Sequence, residues 1–168
     1  MPDDPAFALL FDLLVSTGMR LFEAYRLRVA SVDFVQGVIN VEGSKGHRGA
    51  IKPRVVPMVP ALRERLRAWC DARVGMVFPF WDGSPDSRAR ASCRLSSRFR
   101  TLFAYADVLD CTEHDLRHEA TCRWVELRND RGWVFSDVEV CRIMGWADPR
   151  MMLRYASLRG SDLASRLA

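Results

Sequence analysis

The sequence predicts a mainly helical α+β domain with a small antiparallel sheet, and two observations carry that prediction. Apolar residues recur at helical spacing in several separate stretches. Between the first of these and the rest lie two β-like runs, Val35 to Val41 and Ala50 to Val59, joined by a glycine-bearing segment that suits a hairpin. A length of 168 residues and 49% hydrophobic content suit one domain with a real core and argue against disorder.

Phe7, Leu10, Phe11 and Leu14 mark an opening amphipathic helix that Thr17-Gly18 interrupts, after which Leu21 to Leu27 looks helical again. Arg20 sits at the join. An arginine held between two packed helices can grip one phosphate without reorganising, and Glu23, one turn later, can pair with it or orient it. The hairpin follows, with Glu42-Gly43-Ser44-Lys45-Gly46-His47-Arg48-Gly49 as its tip. Pro60 opens a helix that faces Leu62, Leu66, Trp69 and Cys70 inward and points Arg63, Arg65 and Arg67 elsewhere. Val77 to Trp81 is a short apolar run and Asp82 to Arg90 has loop composition. Leu95, Phe99, Leu102 and Phe103 then mark another helix, on which Arg94 and Arg98 lie one turn apart.

Thr112 can cap the next helix, with Asp115 three residues on and Leu116, Ala120, Trp124 and Leu127 at helical spacing. His114 and Arg117 share one face of its first turn. This places an imidazole and a guanidinium beside the unpaired N–H groups of a helix N-terminus, a setting that attracts phosphate. A surface loop is expected between Leu127 and Ser136. Ser136-Asp137-Val138-Glu139 has the form of a second capping box, Val138, Cys141 and Met144 supply a buried face, and Gly145 stands where that helix ends. Trp146 follows at once. Asp148-Pro149 can start a last short helix, Met151 to Ser157, carrying Tyr155.

Composition narrows the function classes. Five cysteines show no C-x-x-C or Cys/His cluster and their odd number cannot complete a disulfide framework, so buried thiols in a reducing cytoplasm are expected. Neither a signal peptide nor an apolar run long enough to span a membrane is visible. The net charge of +4 is unevenly spread: from Gly43 to Arg100 there are 13 Lys or Arg against 4 Asp or Glu, which suits a polyanionic partner. Of the 25 basic residues 23 are arginine, and the two lysines, Lys45 and Lys52, both fall in the predicted hairpin.

Taken together, Thr17-Gly18-Met19-Arg20-Leu21-Phe22-Glu23, His114-Asp115-Leu116-Arg117-His118, Gly145-Trp146 and Tyr155 resemble the motifs of the tyrosine recombinase, or phage integrase, family. That family carries T-G-x-R-x-x-E, H-x-x-R-H, a G-His or G-Trp pair, and a nucleophilic tyrosine nine residues after the pair. One such motif is weak, but four in register over nearly the whole chain are strong. The resemblance implies a mainly helical catalytic domain with a small antiparallel sheet. It also implies that the family's additional N-terminal DNA-binding domain is absent, since the first motif lies only 20 residues in.

Metal-free cleavage of a phosphodiester needs positive donors around the nonbridging oxygens, an in-line nucleophile and a proton for the leaving oxygen. The resemblance assigns these parts. Tyr155 attacks phosphorus to form a covalent 3′-phosphotyrosine, Arg20 and Arg117 hold the nonbridging oxygens, and His114 is the base or a phosphate ligand. A hairpin lysine protonates the 5′ oxygen: Lys45 matches the family position best and Lys52 is the second candidate. Arginine, with a pKa above about 12, serves badly as that acid. Trp146 can donate one hydrogen bond but shuttles no proton, so it positions and packs. Glu23 and His118 are supporting residues, and Arg48, Lys52, Arg94 and Arg98 are the expected DNA contacts. The implied partner is double-stranded DNA, bound at paired sites by a homotetramer that is a monomer without DNA. No cofactor or metal is required, and the cytoplasm of a phage or mobile-element host is the expected location. A relaxing topoisomerase of the tyrosine type and a catalytically silent DNA-binding remnant are the alternatives.

Overall fold

A computed structural model describes residues 4–46, 49–51 and 53–162. The first helix, α1 (Pro5–Thr17), starts because Asp4 accepts the Phe7 N–H at 3.0 Å and Pro5 stands at the first helical position, where no N–H partner is needed. It stops at Gly18, which adopts the left-handed conformation (φ 64°) and donates its N–H to the Leu14 carbonyl. Leu10 and Leu13 are fully buried. With its buried face against α3 (Pro60–Cys70) and α5 (Glu113–Glu126), α1 forms the centre of the core.

The helical continuation expected over Leu21 to Leu27 is shorter, with α2 covering Leu21–Ala24. Next come β1 (Val32–Asp33) and β2 (Val38–Val41), while the second β-like run divides into β4 (Gly49–Ile51) and β5 (Arg54–Pro57). Pro53, which lacks an N–H, lies at that break. The order β1-β2-β5 makes an antiparallel sheet, with Ile39 opposite Val56 and Val41 opposite Arg54. A separate hairpin of β3 (Ser44–Gly46) with β4 extends from it and pairs Lys45 with Ala50. The 77–81 run is tied back to the chain after α2 by the Val77 N–H, which donates to the Leu27 carbonyl at 2.8 Å.

In the second half, α4 (Arg88–Tyr105) buries Leu95, Phe99 and Phe103 as its spacing requires. Helix α5 opens with the expected capping box of Thr112 and Asp115, and α6 (Asp137–Met144) with that of Ser136 and Glu139, ending at left-handed Gly145. Two inward assignments are corrected. Val138 is exposed and Val140 takes its place, because each step of three residues back from Met144 rotates a side chain about 60° off the buried face. Leu127 lies beyond the end of α5 in extended backbone, and Val125 is buried instead. The 127–136 loop contains a small hairpin of β6 (Arg128–Asn129) and β7 (Gly132–Trp133). The last element is a 3₁₀ segment, Pro149–Asp162, longer and tighter than the short helix expected. All five cysteines are free thiols, but only Cys70 and Cys141 are buried as expected, Cys111 and Cys122 being half-buried and Cys93 exposed on α4; among the described residues no helix is long and apolar enough to cross a membrane.

Candidate active site

Two helix ends and one arginine define the centre. The C-terminal carbonyls of a helix have no intrahelical partner and carry the negative end of its dipole. Arg117, one turn into α5, donates one Nη to the Gly18 carbonyl at the end of α1 and the other to the Met144 carbonyl at the end of α6. Its guanidinium is thereby fixed in place by backbone that cannot rotate away. Glycine suits the first of these ends, where φ is 64° and a Cβ would also push aside the flexible end of the Met144 side chain.

Arg20 caps α2 from the join between helices, as expected. Its own N–H donates to Glu23 Oε2 at 2.8 Å and its Nη1 to Oε1 at 3.2 Å, while its side chain stays 31% exposed. Glu23 has a second and stronger partner that sequence reasoning missed. Arg54, at the start of β5, donates Nη1 and Nη2 to the two Glu23 oxygens at 2.9 and 2.7 Å, and its Nε to the Ile143 carbonyl at 2.9 Å. The overlooked signal is parity along the strand. Val56 points into the core, so Arg54, two residues earlier, faces the same side, and an inward charge demands a buried partner.

Two guanidinium groups, those of Arg20 and Arg54, thus hold the Glu23 carboxylate, and Arg117 lies within electrostatic reach of all three. Burial pushes Glu23 up, but the hydrogen bonds and charge of Arg54, then those of Arg20, win and hold it below the ordinary glutamate value. Burial, followed by the like charges of Arg20 and Arg54, lowers Arg117 to about 10. The surplus of positive charge in a water-poor setting favours an anion at this spot.

Tyr155 belongs to the same neighbourhood. Its phenol is 5% exposed, its ring stacks on Trp146 with centroids 5.6 Å apart and planes 16° apart, and its hydroxyl lies 2.7 Å from His118 Nδ1. Burial raises its pKa above the ordinary tyrosine value, and the positive charge of Arg117 acts in the opposite sense. His114 is exposed on the first turn of α5, its ring edge-on to that of His118 at 6.3 Å. The structure therefore brings Arg20, Glu23, Arg117, His118, Trp146 and Tyr155 together, with His114 at the margin.

The hairpin and α4 candidates fare differently. Lys45 is on β3, but its side chain, and Arg48 and Lys52 altogether, lie outside the described residues. Arg94 is exposed on α4, whereas Arg98 donates to Asp4 at 2.9 Å and lies over the Phe7 ring at 4.1 Å. Arg98 thus ties α4 to the start of α1.

The sequence matches the phage integrase family over residues 2–161. The chain belongs to that family. It is 28% identical over 159 residues to a shufflon-specific DNA recombinase of Escherichia coli, an alignment covering 94% of this chain and 36% of the relative. Two solved structures share the fold. The integrase of transposon Tn1549 in complex with a circular intermediate DNA superposes with a TM-score of 0.68 at 19% identity, over 96% of this chain and 58% of that one. The XerA recombinase gives 0.62 at 20%, over 98% and 64%. The mainly helical α+β architecture is thus the tyrosine recombinase catalytic fold, and the chain spans about a third of the first relative's length.

Proposed function

We propose that this phage integrase family member is a site-specific DNA recombinase that cuts and rejoins strands through a 3′-phosphotyrosine. The observation that carries this reading is a buried Tyr155, stacked on Trp146 and hydrogen-bonded to the residue next to buried Arg117, beside a surplus of guanidinium charge. Arg117, immobilised by two carbonyls, and Arg20, freer and facing outward, receive the two nonbridging oxygens of one backbone phosphate. Tyr155, stacked on Trp146, attacks phosphorus. Lys45, or Lys52 beside it on the same hairpin, protonates the departing 5′ oxygen. His114 stands at the rim as a phosphate ligand or base. Glu23 orients Arg20 and takes no part in bond making.

The substrate is duplex DNA at paired sites, engaged by a homotetramer in the cytoplasm of a phage or mobile-element host. The exposed Arg94, with Arg48 and Lys52, contacts the backbone, and Arg98 does so only if it leaves Asp4. A nicked duplex that traps cleavage tests the reading: the chain forms a covalent adduct with it, Tyr155→Phe abolishes the adduct, and Arg117→Ala slows its formation about a hundredfold to a thousandfold. DNA binding with no adduct from the unaltered chain makes the protein a silent remnant instead.

A further inference from the structure

We propose that His118, placed by its sequence position among the supporting residues, is the group that accepts the Tyr155 proton. The inference rests on the reading of Tyr155 as nucleophile, and it follows from what surrounds the phenol. Tyr155 as a residue is only 5% exposed, so the shortest route for its hydroxyl proton is through a protein neighbour. His118 Nδ1 is 2.7 Å from the hydroxyl oxygen, and the two rings lie 5.5 Å apart with planes at 43°. A second hydrogen-bonding neighbour, Thr121, is a hydroxyl that donates to the Arg117 carbonyl at 2.8 Å and is no base.

A phenol O–H donating to Nδ1 requires the neutral imidazole with its proton on Nε2. His118 is itself exposed, so its ring can exchange protons with solvent. His114 is displaced by one turn, with its ring 6.3 Å from that of His118 and edge-on to it. The charged and titratable groups around the pair are Asp115 and His114 on α5, Arg117 and Cys122 on the same helix beside the phenol, and Arg154 on the 3₁₀ segment.

The step balances without a further reagent. The Tyr155 O–H bond breaks and its proton passes to Nδ1, giving an imidazolium. The electron pair left on oxygen forms the O–P bond as the bond from phosphorus to the 5′ oxygen breaks, and the hairpin lysine protonates that oxygen. In rejoining, the 5′ hydroxyl gives its proton back to the neutral lysine as it attacks phosphorus, and the imidazolium returns its proton to the departing phenol oxygen. His114 is then free to serve as a phosphate ligand.

The test is the rate of adduct formation by the full chain on the trapping nicked duplex, measured across pH for the unaltered chain, His118→Ala, His118→Gln and His114→Ala. Loss of the base lowers the rate about a hundredfold to ten-thousandfold in both His118 variants and removes the fall in rate on the acid side where an imidazole titrates. Added imidazole restores His118→Ala in part. A substrate whose 5′ leaving oxygen is replaced by sulfur, which departs without a proton, does not restore it. The His114→Ala variant is slower yet keeps the acid-side fall. Four results overturn the assignment: His118 variants that cleave as fast as the unaltered chain or faster, slow variants that retain the acid-side fall, rescue by the sulfur-bearing substrate, or loss of the fall in His114→Ala instead. No adduct from the unaltered chain removes the nucleophile itself, and with it the recombinase reading, so the two failures are told apart.

Discussion

Glu23 and Arg54 form a bidentate ion pair in which both carboxylate oxygens accept guanidinium N–H groups, with the two side chains only 4% and 5% exposed. The pair joins the first motif to the sheet, and through the Arg54 Nε it also reaches the end of α6. Glu23 in turn holds Arg20, so a strand residue outside the motifs helps decide where one of the motif arginines points.

Breaking this pair from one side leaves a buried charge. Arg54→Ala is expected to cost about 3 to 5 kcal/mol, read as a shift in the urea midpoint at constant slope. The double variant Glu23→Leu with Arg54→Met recovers most of that stability, because an apolar pair of similar volume replaces the ions. Cleavage does not recover with it, since Arg20 has lost its partner. A single variant as stable as the unaltered chain contradicts the account.

Acid should act on the same carboxylate. The Glu23 pKa is lowered in the fold from the ordinary 4.5, so its contribution to stability is complete above that value and is lost as pH falls through the lower folded one. Stability of the unaltered chain is expected to fall on acidification below about 4.5, and Glu23→Gln to make the fall shallower, without flattening it because capping carboxylates such as Asp115 remain. Denaturant midpoints between neutral pH and pH 3 measure it. Equal slopes for the two proteins count against a charged Glu23.

The two motif arginines are expected to separate in their stability effects. Removing one oxyanion donor typically slows chemistry about a hundredfold to a thousandfold, and this applies to both Arg20→Ala and Arg117→Ala. Arg20 is partly exposed, so its removal leaves the melting temperature little changed. Arg117 satisfies carbonyls at two helix ends, and its loss uncovers both. Thermal unfolding alongside single-turnover cleavage resolves the two, and equal destabilisation by both variants is the contrary result.

Gly145 offers a geometric test of how closely Arg54 is packed. A Cβ there would lie 2.8 Å from Arg54 Cδ, and the residue also holds a φ of 65°. Gly83, at φ 87°, has nothing within 4 Å of the same built atom. Both alanine variants bear the left-handed cost of about 1 to 2 kcal/mol, but only Gly145→Ala also displaces Arg54. It should be the less stable of the two and should lose cleavage, whereas Gly83→Ala keeps it.

Much of the architecture was legible because it rests on local rules. Both capping boxes, the glycine ends of α1 and α6, and the buried faces of α3 and α4 follow from spacing and backbone preference alone. Where local signals thinned, so did the reading. Val138 sits at a plausible interval yet faces solvent, because three-residue steps drift around a helix, and β6 with β7 arises in a stretch rich in turn residues.

The sequence by itself determined the family, the order of the main helices about the sheet and the identity of the motif residues, since motifs and periodicity are written along the chain. Only the tertiary structure decided that Arg54 grips Glu23 across 31 positions, that Arg117 ties together the ends of α1 and α6, and that the Tyr155 hydroxyl meets His118 across 37. The physical reason is that a buried ion or phenol is satisfied by whichever group the packing brings near. Packing draws that group from elements far apart in the chain, where spacing carries no record of the encounter.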